Sequence, residues 1–133
     1  MKLAAANEMI AVLHTEQGNS DKAMELFEAT LKVKQLKLGR HHVEYANTLI
    51  NMGHVHRSKG YTDEALRVYQ EGARIKETKS GTDRAGLFDT YNGIGDIYSD
   101  NGDKQKAADA YVMALGENLI LTEISYSIPH FTK

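Results

Sequence analysis

Cysteine and tryptophan are absent from the 133-residue sequence, and Pro129 is its only proline. The absence of cysteine excludes disulfides, thiol catalysis and zinc sites with cysteine ligands. A chain with little proline and many alanines and leucines favours helices. No apolar run reaches the ~18 residues of a membrane span. Glu8 interrupts the short apolar stretch near the N-terminus, which indicates a helix rather than a signal peptide.

The sequence also lacks a strong charge of either sign. A net charge of −2 gives no whole-chain attraction to nucleic acid or to acidic membranes. The apolar fraction of 41% and the charged fraction of 26% are ordinary for a soluble protein. The length fits one domain, so we expect a single domain over residues 1–133. The lack of cysteine agrees with a reducing compartment, and we expect a cytoplasmic location.

What the sequence does contain is a repeat with a spacing of 42 residues. A fixed period of this length predicts a stacked array rather than a closed globule. We place the repeats at about residues 4–39, 44–81 and 86–118. Five positions carry similar residues in all three copies: Gly18, Gly60 and Gly102; Ala23, Ala65 and Ala107; Phe27, Tyr69 and Tyr111; Ala11, Gly53 and Gly95; and His14, His56 and Tyr98.

Each copy has two helical halves. In the second copy Leu49, Met52 and Gly53 begin an i, i+3, i+4 pattern on one helix face. Gly60 then ends this helix, as a residue in the left-handed conformation would. Small residues such as Gly53 let paired helices approach closely, and the aromatic residue four positions after the recurring alanine fills the groove beside it.

These residues resemble the tetratricopeptide repeat. In that repeat a large residue, a Leu-Gly pair and an aromatic residue follow one another in the first helix, and Ala-x3-Phe follows in the second. The resemblance covers about residues 3–118. The 42-residue length and the linker residues Leu38, Gly39 and His42 resemble the kinesin light chain variety, and the linker TDRAGLFDTYNGIG also looks like repeats in G-protein-signalling adaptors. The resemblance implies an all-α right-handed solenoid of three helix-turn-helix pairs. The pattern occurs as Leu49, Met52, Gly53, His56, Ala65 and Tyr69, and again as Tyr91, Ile94, Gly95, Tyr98, Ala107 and Tyr111.

In such an array the first helix of each pair lines the concave side, and its non-core positions are the candidate peptide-binding groove. Asparagine amides could hold the backbone of an extended peptide, since each offers two donors and an acceptor. The resemblance supports Asn51 and Asn92 most. The alternative is that these are simply solvated polar residues. The candidate groove residues are Asn47, Asn51, His54, Arg57, Asp89, Asn92, Asp96 and Asp100, with Ala5, Glu8, Met9, Val12, Glu16, Ile50 and Ser99 at the remaining positions.

The charge of this candidate groove predicts the kind of partner. Acidic residues outnumber Arg57, its clear cation, and the paired Lys and Asn with which chaperone-binding repeats hold a terminal carboxylate are not found. Kinesin light chain grooves that take acidic cargo would be basic, so this chain departs from them. We therefore expect a basic or neutral protein or peptide partner, with no nucleic acid and no membrane. The alternative is that the acids are merely solvated.

Nothing in the sequence indicates catalysis, a metal or a cofactor. His14 and His56 stand in an aromatic packing position of the repeat, and the adjacent His41 and His42 form a weak pair. The glycines sit at packing and turn positions rather than in a phosphate-binding loop. The segment LKVKQLKLGRHH, which contains Lys34, could offer a basic edge to phosphates. We interpret it instead as the solvated end of a helix, where the helix dipole favours cations.

Both ends of the repeat array carry apolar residues. Residues 119–133 form an apolar tail in which Ile120 and Ile124 suit one helix face, so we expect the last helix to continue past Gly116 and to cap the array or extend it. Docking of the tail on a partner or on a second copy is the alternative. At the other end, either the chain is a piece of a longer array or that edge meets another molecule. The uncovered apolar residues there are Leu3, Met9, Ile10 and Val12.

Together these patterns predict a non-catalytic interaction module, an adaptor or scaffold that binds a peptide or helix in the groove. A structural assembly subunit, cytoskeletal or ciliary, is the alternative function. It would be joined through the ends of the solenoid and the C-terminal tail.

Overall fold

The computed structural model describes the backbone of residues 1–130 and the side chains of residues 1–117. Within residues 1–130 it contains helices and no strand, which confirms the all-α expectation. Among the described residues, no helix is both long and apolar enough to cross a membrane. A short 3₁₀ turn, Gly81–Arg84, precedes the fifth helix. The α-helices are α1 (Lys2–Glu16), α2 (Ser20–Leu38), α3 (Val43–Ser58), α4 (Thr62–Glu77), α5 (Leu87–Asp100) and α6 (Lys104–His130).

The helices divide into two compact units, Met1–Arg84 and Ala85–Lys133. In the first unit α1 packs on α2, α2 on α3, and α3 on α4, so that two helix pairs lie side by side. In the second unit α5 packs on α6 as a third pair. The three repeat ranges placed from the 42-residue spacing stay predictions. The single domain over residues 1–133 stays a prediction.

Glycine ends the first helix of each pair for a conformational reason. Gly18, Gly60 and Gly102 have φ values of 81°, 79° and 84°, the left-handed region that other residues avoid. The chain reverses there and the second helix begins within a few residues. These turns set the antiparallel packing of each pair.

The core of the first unit lies where the inner faces of its four helices meet. Phe27 of α2 is 1% exposed and Val55 of α3 is fully buried. Alanines at the closest approaches keep the helix axes near one another. The buried apolar cluster consists of Ala11, Ala23, Phe27, Tyr45, Ala46, Leu49, Met52, Val55, Val68 and Ile75.

Two glycines lie directly against tyrosine rings. A Cβ atom at Gly53 would stand 2.5 Å from two ring carbons of Tyr69, and one at Gly95 would stand 2.5 Å from Cε1 of Tyr111. Real Cβ atoms do not approach carbon so closely, because van der Waals contact lies near 3.5–4.0 Å. The absence of a side chain at these positions is therefore what lets each tyrosine pack across its helix pair.

The last helix passes through Gly116 and ends at His130, as expected if the final helix is extended. Gly116 is part-buried and has no atom within 4 Å of where a Cβ would stand. The expectation that the apolar side chains of residues 119–133 cap the array lies outside the described residues.

Candidate interaction surface

In the first unit the candidate residues of α3 differ in how open they are. Asn47 and Asn51 are half-buried, whereas His54 and Arg57 are exposed. Ile50 is only 7% exposed, and its Cγ1 would lie 2.8 Å from a Cβ at Gly72. The expectation that Ile50 points into a groove is therefore wrong, because it packs against the second helix of its own pair.

A buried lysine joins three helices next to these residues. Lys34 of α2 is 2% exposed, and its Nζ donates hydrogen bonds to Oε2 of Glu8 at 2.6 Å and to Oγ1 of Thr48 at 2.9 Å. It also donates to the backbone carbonyl of Glu44 at 3.2 Å. Glu8 belongs to α1, and Thr48 and Glu44 belong to α3, so one ammonium group ties α2 to both neighbouring first helices. The expectation of a solvated helix end is wrong for Lys34.

The second carboxylate oxygen of Glu8 completes this network. Oε1 of Glu8 accepts a hydrogen bond from Oγ1 of Thr48 at 2.7 Å and one from Nδ2 of Asn51 at 3.4 Å. With Lys34 at 2.6 Å, the negative charge of Glu8 is already balanced. Glu8 therefore adds little to the acidity of the candidate groove, and Asn51 is held toward α1.

The sequence did carry a signal for this lysine. Ala23, Phe27, Thr30 and Lys34 follow at spacings of four, three and four, which places Lys34 on the buried face of α2. Lys76, 42 residues later, is also buried at 4% exposed. Burial lowers the pKa of Lys76 below its ordinary value, and the carboxylates of Glu44 and Asp83 partly oppose this. Both lysines occupy a repeat position that is inside the fold.

His54 and Asp96 occupy the same repeat position, and each contacts a tyrosine hydroxyl. Nδ1 of His54 lies 2.6 Å from Oη of Tyr69, and the hydroxyl of Tyr111 donates to Oδ1 of Asp96 at 2.6 Å. The first repeat replaces this polar pair with two apolar residues, Val12 and Phe27. These side chains are thus positioned by the second helix of their own pair.

In the second unit the candidate residues of α5 form an acidic face. Asp89, Ser99 and Asp100 are exposed, and Asn92 and Asp96 are half-buried. Their spacing of three and four residues places them on one side of the helix. The sequence of α5, LFDTYNGIGDIYSD, contains three aspartates and no lysine, arginine or histidine. This helix therefore presents negative charge that its own side chains do not balance.

His42 and His56 serve a helix cap and the packing of a turn. Nδ1 of His42 accepts a hydrogen bond from the backbone N–H of Glu44 at 3.0 Å, which caps the first turn of α3. His56 packs near the ring of Tyr61, at 6.4 Å between centroids. Within the described residues, no group of three metal-binding side chains comes together.

Burial lowers the pKa of His56 below its ordinary 6.5, while the carboxylate of Glu64 opposes this and the cations of Arg67 and Lys59 add to it. In the part of the chain that the structure describes, its Nδ1 is buried without a hydrogen-bond partner. Protonation of this ring is therefore disfavoured in the folded protein. His56 also lines an open pocket at the turn between α3 and α4, and an equivalent pocket recurs between α1 and α2.

The lowered pKa predicts a loss of stability in mild acid. Unfolded His56 takes up its proton first as the pH falls through about 6.5, so the unfolded state binds more protons and gains free energy relative to the folded state. The free energy of unfolding of the wild type and of His56→Gln should be measured by urea titration at about four pH values between about 7.5 and 5. The wild type should lose more stability over this interval than the variant, whatever their difference at pH 7.5. Equal slopes would contradict the prediction.

Comparison with known proteins places this architecture in a family. The tetratricopeptide repeat model matches residues 2–78, and a second tetratricopeptide repeat model matches residues 88–118. The first match alone spans more than half of the chain. A search of curated protein sequences finds no match.

Solved structures share the fold at low sequence identity. BtubC from P. vanneervenii is 20% identical, with a TM-score of 0.85 over 91% of this chain and 48% of that chain. The TPR domain of Arabidopsis FLU is 18% identical, with a TM-score of 0.77 over 88% and 95%. TPR-like repeats described as a kinesin light chain of Podosopora anserina are 15% identical, with a TM-score of 0.71 over 84% and 53%. This chain spans about half the length of the first and third. The likeness shows the fold, an α-solenoid built from helix pairs.

Proposed function

The chain belongs to the tetratricopeptide-repeat family, and from that premise we propose that it is a non-catalytic interaction module. Its first helices, α3 and α5, bind a protein or peptide partner that is basic or neutral. Tetratricopeptide repeats bind protein partners on surfaces built from successive repeats. In this proposal the chain acts as a cytoplasmic adaptor or scaffold and needs no cofactor.

The acidic face of α5 is the observation that carries the preference for a basic partner. Asp89 and Asp100 are exposed, and α5 itself carries no cation to balance them. The hydroxyl of Tyr111 donates a hydrogen bond to the carboxylate of Asp96 and so orients this acid. Lysine or arginine side chains of a partner would gain both charge attraction and charge-assisted hydrogen bonds at these carboxylates.

The α3 face would contribute mainly neutral contacts. The Lys34 ion pair removes the charge of Glu8 from this surface, so attraction of cations is weaker here than at α5. The amides of Asn47 and Asn51 are half-buried and offer hydrogen bonds that suit a peptide backbone. Arg57 is exposed, and we propose that it disfavours a partner that is basic along its whole length.

The proposal predicts a charge preference that can be measured with two simple probes. Fluorescein-labelled peptides of equal length, one of alternating Lys and Ala and one of alternating Glu and Ala, should be titrated with the protein and followed by anisotropy. The Lys peptide should bind more tightly, and added salt should weaken it. In the double variant Asp89→Asn, Asp100→Asn its Kd should rise about threefold to tenfold, because two exposed charge contacts are lost.

A matched control separates this face from net charge. The double variant Glu25→Gln, Asp109→Asn removes two exposed acids from the second helices α2 and α6 and should leave the Kd unchanged. If the control weakened the Lys peptide equally, binding would depend on net charge and not on α5. Tighter binding of the Glu peptide would overturn the proposed preference.

A second function is favoured by a different observation. Apolar residues of α1 are exposed, among them Leu3 at 75% and Met9 at 71%. Large exposed apolar side chains in one region mark interaction surfaces. We propose as the alternative function a structural assembly subunit, joined to its neighbours through the ends of the repeat array.

A further inference from the structure

The outer side of α1 presents exposed apolar side chains. Leu3, Ile10 and Leu13 are 75%, 45% and 55% exposed. Their spacing of seven and three residues places them along one side of the helix. We call these three residues the N-terminal face.

The second repeat shows what packs on this face, because its equivalent residues are buried. Tyr45, Met52 and Val55 lie 42 residues after the three members of the N-terminal face and are 6%, 6% and 0% exposed. They share one buried cluster with Phe27 of α2, and Leu31 of α2 packs against that cluster. The partner of this face inside the chain is therefore the second helix of the preceding repeat.

The corresponding surface of α6 is also open. Tyr111 and Leu115 lie 84 residues after Phe27 and Leu31 of α2, of which the first belongs to the buried cluster and the second packs against it. Tyr111 is 37% exposed and Leu115 is 54% exposed, whereas Phe27 is 1% exposed. We call Tyr111 and Leu115 the α6 face. The chain thus exposes both halves of an interface that it closes once within its own first unit.

We propose that a second copy of this chain covers the N-terminal face. The α6 face of one copy packs on the N-terminal face of the next, as α2 packs on α3 within the chain. The two surfaces are different, so the contact is heterologous and leaves one face of each kind open after every addition. Assembly therefore produces open head-to-tail chains of repeats. This inference rests on the second of the two proposed functions.

Single charges placed in either face test the contact. Sedimentation velocity over a concentration series should show a wild-type mass that rises with concentration. Leu13→Glu and Leu115→Glu should each weaken association about tenfold or more, since a glutamate replaces a leucine that association buries. Leu36→Glu is the matched control, because Leu36 of α2 is 85% exposed and lies outside both faces. Circular dichroism checks that each variant is helical, and Ile10→Glu serves as a second variant of the N-terminal face.

A mixing experiment distinguishes head-to-tail contact from other modes. Leu13→Glu keeps an intact α6 face and Leu115→Glu keeps an intact N-terminal face. Mixed together, the two variants should form a complex of one copy each that grows no further. That complex, with an unaffected Leu36→Glu control, is the expected result.

The contrary outcomes separate this inference from the function on which it rests. A wild type that stays monomeric throughout the series would overturn both. An assembly that persists in both face variants would keep the assembly function and overturn the head-to-tail contact in favour of another surface. A Leu115→Glu variant that still forms dimers, beside a monomeric Leu13→Glu, would indicate a symmetric contact between two N-terminal faces. An equal loss in Leu36→Glu would show non-specific apolar association.

Discussion

Replacing Glu8 with glutamine should lower the free energy of unfolding by about 3 kcal/mol, the lower end of the range for breaking a buried ion pair. The substitution keeps the shape of the side chain and removes its charge, so the ammonium group of Lys34 loses its closest counter-ion while it is 2% exposed. The loss stays near the lower end because Glu8 is 16% exposed and because Oε2 of Glu44 lies 3.5 Å from the same Nζ atom. Urea unfolding followed by circular dichroism measures this difference.

A double-mutant cycle shows whether the two charges act as a pair. Lys34→Met should also destabilise the protein, since it leaves the Glu8 carboxylate with hydrogen bonds but without a cation. The double variant Glu8→Gln, Lys34→Met should lose clearly less than the sum of the two single variants, because neither charge is then left unpaired. Glu25→Gln and Lys37→Met are exposed controls on α2 and should have small effects. If Glu8→Gln cost no more than Glu25→Gln, the buried ion pair would be contradicted.

The Lys34 network shows which features of the structure sequence patterns predict and which they do not. The 42-residue period predicts the helix pairs, because each turn glycine and each small packing residue acts through local conformation and nearest contacts. The Lys34 network depends on three helices at once, and its members Glu8, Lys34 and Thr48 are 26 and 14 residues apart in the sequence. No single helix pattern contains that information. The buried face of α2 does identify Lys34 as an inward residue, but it does not identify the partner.

In the candidate interaction surface, too, some exposed positions follow from residue spacing and others do not. Spacing alone places Asp89 and Asp100 on one open side of α5, and the structure shows both exposed. Spacing also placed Ile50 on an open side of α3, and there the close approach of Gly72 leaves room for the isoleucine to pack inward. Whether a first-helix position is open thus depends on the size of the residue opposite it on the second helix, which the pattern of one helix does not show.

Replacing Gly53 with alanine should give the second large effect, a loss of about 2 kcal/mol in the free energy of unfolding. The new Cβ would stand 2.5 Å from Cδ1 and Cε1 of Tyr69, whose ring is fully buried and has no open side toward which to move. The higher helix propensity of alanine offsets up to about 1 kcal/mol of the strain, and the expected loss is what remains. Urea unfolding measures it.

Two other glycines make this prediction a graded series rather than a single value. Gly95→Ala meets Tyr111 at the same 2.5 Å, but this ring is 37% exposed and can shift outward, so its loss should be smaller than that of Gly53→Ala. Gly116→Ala meets no atom within 4 Å and should stabilise the protein by up to about 1 kcal/mol through helix propensity alone. The expected order of stability is Gly116→Ala, wild type, Gly95→Ala and then Gly53→Ala. A Gly53→Ala variant as stable as the wild type would show that the close packing of α3 on Tyr69 does not constrain this repeat.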